Sequence, residues 1–153
     1  LTGLVSHFAS VFEPKLLDLD LKVAIEVRLA QEPVLTTGNA GGLLVVLEKL
    51  SDNALEAIRE SRPASARIAI SASSDEDGIA RISIKDNGGG APWGDDRYLL
   101  DPFYTTRAAQ GHHGLGLTHS RDLIKQMSGD LIVINDVERG ELEIVIELPL
   151  AGA

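Results

Sequence analysis

LLVVLEKLSDNALEAIRES, residues 43–61, sets the plan of the chain. Leu43, Leu47, Leu50, Ala54, Ala57 and Ile58 recur at spacings of three and four, which predicts a helix with one apolar face. At about 100° per residue, Asn53 falls roughly 80° from the centre of that face, on its border. Lys49 and Glu56 lie on the same flank. A border position is half in the core and half in whatever groove runs beside the helix. Taken alone, Asn53 is a polar residue on a helix edge. The rest of the chain gives it a chemical setting.

Before this helix, Gly38, Asn39, Gly41 and Gly42 predict a loop, with Asn39 available as a cap. Pro63 closes the helix at its other end. From Leu4 to Leu17 the spacing of Val5, Phe8, Val11 and Phe12 is helical, and Pro14 limits its extent. KVAIEVRL at 22–29 alternates as a strand does, with Val23, Ile25, Val27 and Leu29 sharing a face. RIAISAS at 67–73 and IARISIK at 79–85 also alternate, and the acidic tip Asp75-Glu76-Asp77-Gly78 joins them as a hairpin.

Residues 86–113 form a long irregular stretch rich in Gly, Asp and Pro. Loops of that length in a compact domain are usually lids or binding loops. Helical spacing resumes from Leu115 to Met127 through Thr118, Leu123 and Ile124, with Gly129 in the closing position. Two strands follow, 131–134 and 142–148, around a turn at 136–140. Helix, strand, helix, hairpin, long loop, helix, hairpin predicts an α/β (α+β) two-layer sandwich. Its sheet is mixed, mostly antiparallel, with helices on one face. Residues 1–20 read as a helical segment leading in from an upstream region, and 21–153 as the main domain.

At 153 residues the chain suits one domain, burying about two thirds of its unfolded surface. Aromatic residues make up only 4%, so Leu, Ile, Val and Ala must build the core. With no Cys, disulfides and thiolate metal sites are excluded and a reducing compartment is permitted. No apolar run has membrane-spanning length and no signal-peptide pattern opens the chain. Leu at position 1 predicts a piece of a longer protein. A net charge of −9 argues against nucleic acid or an anionic membrane as partner. Any polyanionic ligand must therefore be held by local features.

Three short stretches supply such features. DNGGG at 86–90 follows directly on a strand. A carboxylate fixed there selects a flat ring bearing an exocyclic amine, and the glycines let backbone approach it. Adenine has that donor; guanine presents an acceptor instead, at a cost of ~1–3 kcal/mol. HHGLGL at 112–117 opens a helix, and the amides at Gly114 to Leu117 are free donors suited to phosphate. His112 and His113 lack partner ligands at metal spacing and read as lid residues. In DPFYTTR at 101–107 the aromatics can seat the loop on the core while Arg107 reaches phosphate oxygens. Each stretch also has a plain structural reading: a strand end, a helix start, an aromatic plug.

Together and in this order, the stretches resemble the ATP-binding catalytic domain of sensor histidine kinases, within the gyrase, Hsp90, histidine kinase and MutL ATPase superfamily. Residues 49–57, with NALEA, resemble the N box; DNGGG the G1 box; HGLGL from His113 the G2 box. DPFYTTR resembles the F box in the style of nitrogen- and oxygen-sensing kinases, and the segment from Gly140 to Pro149 resembles the final glycine and LP strand. The resemblance covers roughly Leu21 to Leu150. It implies the Bergerat fold with a lid, and ATP and Mg²⁺ as cofactors. Asn53 would bind Mg²⁺, Asp86 the adenine amine, and Gly88 and Gly90 would line the base. Gly114, Leu115 and Gly116 would cradle phosphates, with Thr105, Thr106 and Arg107 contributing from the lid. Implied partners are a histidine-containing dimerisation domain, in cis or in trans, and a response regulator. The implied setting is a cytoplasmic domain without direct membrane contact, in an intact homodimer that can be membrane-anchored.

Lys49 and His112 depart from the family pattern, which has Asn one turn before the Mg²⁺-binding Asn and glycine before GLGL. Lys49 could itself contact a phosphate. The superfamily's ATP hydrolases carry a water-activating Glu at the Lys49 position; Glu48 lies about 140° around the helix from Asn53 and cannot replace it. Neither His7 nor His119 sits in a phosphoacceptor motif. The resemblance therefore predicts transfer of the γ-phosphoryl group to a histidine outside this chain. A non-catalytic docking module of the same fold, or a serine kinase of the anti-sigma-factor type, stays open at this point.

Overall fold

The computed structural model describes residues 2–12, 23–30, 39–89, 115–136 and 138–150. The long apolar-faced stretch is a helix, α2, spanning Ala40–Ser61, with Leu43, Val46, Leu47, Leu50, Ala54, Leu55, Ala57 and Ile58 buried. It begins earlier than predicted. Asn39 caps it by accepting the Gly42 N–H at 3.2 Å, so Gly41 and Gly42 belong to the first turn and not to the preceding loop. At the other end Arg62 adopts a left-handed φ of 47° and donates its N–H to the Ile58 carbonyl at 2.8 Å. Pro63 then blocks continuation, as predicted.

Five strands form one sheet: β1 (Val23–Leu29), β2 (Ala66–Ser74), β3 (Ile79–Asp86), β4 (Asp130–Asp136) and β5 (Glu141–Pro149), in the order β1-β2-β3-β5-β4. β1 pairs parallel with β2, which the long α2 crossover permits; the remaining pairs are antiparallel. Helices α1 (Thr2–Phe12) and α3 (Leu115–Gln126) complete the described elements. Strand alternation sends Ile68, Ile70, Ile82, Ile84, Leu131, Ile144, Ile146 and Leu148 to one face. There they form a single cluster with Val5, Phe8 and Phe12 of α1, the apolar face of α2, and Ile124 of α3. Each such side chain contributes about 1.5–3 kcal/mol by leaving water. The fold is the expected two-layer sandwich with helices on one face.

On the opposite face β3 and β5 are mostly polar and held by cross-strand pairs, while Ile132 and Ile134 of β4 stand exposed. Arg81 pairs with Asp75 at the hairpin tip and with Glu147 on β5, Lys85 lies 2.7 Å from Glu141, and Ser83 donates to Glu143 at 2.8 Å. The Arg81 guanidinium and the Ile79 and Asp77 amides hold the Asp75 carboxyl below its ordinary range. An open cleft of about 450 Å³ lies on this face, among Arg28, Arg67, Lys85, Glu141 and Glu143.

Val23, Ile25, Val27 and Leu29 share a face of β1, as expected. That face is only partly covered, with Val27 and Leu29 each 37% exposed. β1 is an edge strand, so alternation marked which side chains share a face and not how deeply they are buried. At the end of α3, Ser128 and not Gly129 takes the left-handed conformation, with φ 64°. Ser128 and Gly129 donate to the carbonyls of Lys125 and Ile124, each at 3.0 Å, the paired bonds of a Schellman cap. Gly129 is needed for space instead: a Cβ there would stand 2.2 Å from the Glu147 carbonyl oxygen. The expected helix beyond Phe12, and the lid at 90–113, lie outside the described residues.

Candidate nucleotide site

Asp86 is the last residue of β3 and only 5% exposed. Alternation puts it on the helix-covered face after Ile82 and Ile84, beside Ile68 of β2 and Leu142 of β5 in register. An acid thus sits at the end of an otherwise apolar row. The Gly88 N–H donates to Asp86 Oδ1 at 2.9 Å, which fixes the orientation of the carboxylate.

The turn after Asp86 is held from three sides. Asn87 points back to β2: its Oδ1 accepts the Arg67 N–H at 2.7 Å and its amide nitrogen donates to the Ser65 carbonyl at 2.6 Å. Gly88 lies directly against α2, where an added Cβ would meet both the carbonyl carbon and the Cβ of Ala57 at 2.7 Å. Gly89, at φ 98°, donates its N–H to the Gly140 carbonyl at 2.9 Å. The requirement for glycine at position 88 is therefore close packing on a helix, alongside any contact with a base.

That packing links the acid to the predicted polar flank. Asn53 is half-buried and lies one turn before Ala57, about 6 Å along the α2 axis. Glu56, also half-buried, shares its flank, and exposed Lys49 lies one turn earlier. α3 starts at Leu115, packs beside α2 and carries no acidic residue in its first turn. No acidic side chain of that turn therefore offsets the positive end of its dipole.

Of the sequence-predicted site residues, the fold brings Asp86 and Gly88 against the helix that carries Asn53 and Lys49. Leu115 and Gly116 open α3. Gly90, Thr105, Thr106, Arg107, Gly114, His112 and His113 lie outside the described residues. Among the described residues no group of three His, Cys, Asp or Glu side chains is arranged to hold a metal ion. Sequence reading missed Asn87 as the clamp to β2; Asn directly after a strand is the available signal, since its amide readily bonds neighbouring backbone.

Residues 38–152 match the family described as histidine kinase-, DNA gyrase B- and HSP90-like ATPase. The chain belongs to this family. The two-component sensor PprA of Pseudomonas aeruginosa is 33% identical to this chain over 132 residues, 85% of this chain and 14% of that protein. The C4-dicarboxylate transport sensor protein DctB of the same organism is 32% identical over 104 residues, 68% of this chain and 17% of that protein. The chain thus spans less than a fifth of either relative. The catalytic domain of histidine kinase ThkA superposes with a TM-score of 0.77 at 23% identity, covering 97% of this chain and 91% of that one. Full-length ShkA does so at 0.78 and 24%, covering 99% and 30%. These likenesses confirm the fold. No helix among the described residues is long and apolar enough to cross a membrane.

Proposed function

We propose that this chain is the ATP-binding kinase domain of a two-component sensor histidine kinase, passing the γ-phosphoryl group of Mg-ATP to a histidine on a separate dimerisation domain, in cis or in trans. The observation that carries this reading is buried Asp86, oriented by the Gly88 amide and packed through Gly88 onto α2 one turn from Asn53. The family match supports it. The relatives PprA and DctB are named as sensors, and ShkA was solved in complex with AMPPNP.

Asp86 accepts the exocyclic amine of adenine, and Gly88 and Gly90 line the ring. The Asn53 amide oxygen suits Mg²⁺, a hard cation that needs few protein ligands when substrate phosphates supply the rest. Bound Mg²⁺ neutralises phosphate charge. The amides at Gly114, Leu115 and Gly116 would donate to phosphate oxygens, with Thr105, Thr106 and Arg107 contributing further phosphate contacts. Phosphoryl transfer requires little beyond this positioning and charge neutralisation. Lys49, exposed one turn from Asn53, would add a phosphate contact, while its departure from the family pattern favours the second reading, a domain that docks without transferring.

The test mixes the chain with labelled ATP, Mg²⁺ and a dimerisation domain bearing a phosphoacceptor histidine. Acid-labile label on that histidine is expected, and Lys49→Asn should retain it. Nucleotide binding without transfer would instead favour a non-catalytic docking module, and label on serine a serine kinase.

A further inference from the structure

The loop that aims Asp86 is braced from outside by the turn between β4 and β5. Gly140 adopts φ 66°, and in that conformation its carbonyl receives the Gly89 N–H at 2.9 Å. Space is not what demands glycine here. A Cβ at Gly140 would stand 3.4 Å from Gly89 Cα, ordinary contact, so the constraint is the left-handed backbone itself. The turn is fixed in its own right: Asp136 Oδ1 accepts the Arg139 N–H at 3.1 Å. On the loop's inner side Gly88 already touches Ala57 and Ile58, leaving no room to move inward. Gly89 is thus clasped between α2 and the turn. One peptide earlier, the Gly88 N–H orients the Asp86 carboxylate. Any shift of Gly89 reaches that hydrogen bond through a single peptide unit.

We propose that Gly140 is a positioning residue for base selection, its carbonyl holding the loop in the form that points Asp86 at an exocyclic amine. The proposal rests on the nucleotide-binding reading above. Gly140→Val disfavours the left-handed conformation, whereas Gly140→Asn accepts it more readily. Asp136→Ala loosens the turn without touching Gly140.

The experiment measures dissociation constants for ATP and for inosine triphosphate, which carries an oxygen in place of the amine, together with amide exchange at Gly89 and urea unfolding. In wild type and Gly140→Asn, ATP is expected to bind more tightly than the inosine analogue, with slow exchange at Gly89. Gly140→Val should lose about tenfold of that discrimination, roughly 1.4 kcal/mol, with faster Gly89 exchange and an intact cooperative transition. Asp136→Ala should move both readouts in the same direction, and it decides the matter where Gly140→Val does not fold. An unchanged ATP-to-inosine ratio, or an equal loss of both affinities, overturns the proposal. If wild type binds neither nucleotide, the functional reading fails and base selection by Gly140 falls with it; the Gly89 exchange rates then report the brace alone.

Discussion

Asp86→Asn is expected to weaken ATP binding by about 1–3 kcal/mol, roughly 5- to 150-fold, while the chain stays folded. The substitution is nearly isosteric, and an Asn oxygen can still accept the Gly88 N–H that Asp86 Oδ1 now receives. The loop therefore keeps its inner bond. What changes is the group offered to a ligand: an amide donor replaces a carboxylate acceptor opposite the adenine amine. Because Asp86 is only 5% exposed, water cannot easily repair that mismatch. The same change should favour inosine triphosphate, whose exocyclic 6-carbonyl oxygen accepts from the new amide. Calorimetric titration with both nucleotides checks the exchange of preference. Unchanged ATP affinity in the variant would remove Asp86 from the site.

Gly88→Ala is expected to cost about 2–3 kcal/mol of folding stability and most nucleotide affinity at once. The new methyl group would meet the carbonyl carbon and Cβ of Ala57 at 2.7 Å and the Ile58 nitrogen at 2.9 Å. Those are mainly helix backbone atoms, so α2 and the end of β3 must separate. The separation moves Asn53 away from Asp86. Relief should come from Ala57→Gly, which removes one of the two closest atoms but leaves the backbone carbon. The double variant should thus recover part of the stability, read by urea unfolding and ATP titration together. A Gly88→Ala chain as stable as wild type would contradict the close packing of loop on helix.

How much of this could be read from the residues alone depended on how local each cause is. The apolar face of α2 and the β2–β3 hairpin follow from periods of 3.6 and 2, and both formed as expected. The parallel pairing of β1 with β2, and the insertion of β5 between β3 and β4, are set by packing across the chain, which alternation does not encode. Gly129 shows how a residue's likeliest role can mislead: a glycine after a helix usually supplies a left-handed backbone, yet Ser128 does so here and Gly129 yields space to Glu147. In the site, Asp86 and Asn53 were readable as types on particular faces. Periodicity does not encode their convergence, which only the family resemblance implied, because it runs through the fit of Gly88 against Ala57 between elements far apart in sequence.

Asp86 and the Asn53 flank of α2 would together form one Mg²⁺-dependent ATP site. Calorimetric titration of the folded chain with ATP, in Mg²⁺ and again with the metal chelated, tests it most directly when Asn53→Asp is run alongside. A single-site isotherm in Mg²⁺ that weakens about tenfold or more on chelation is expected, with an altered Mg²⁺ dependence in Asn53→Asp. No saturable binding of ATP to the folded wild-type chain in Mg²⁺ would contradict it.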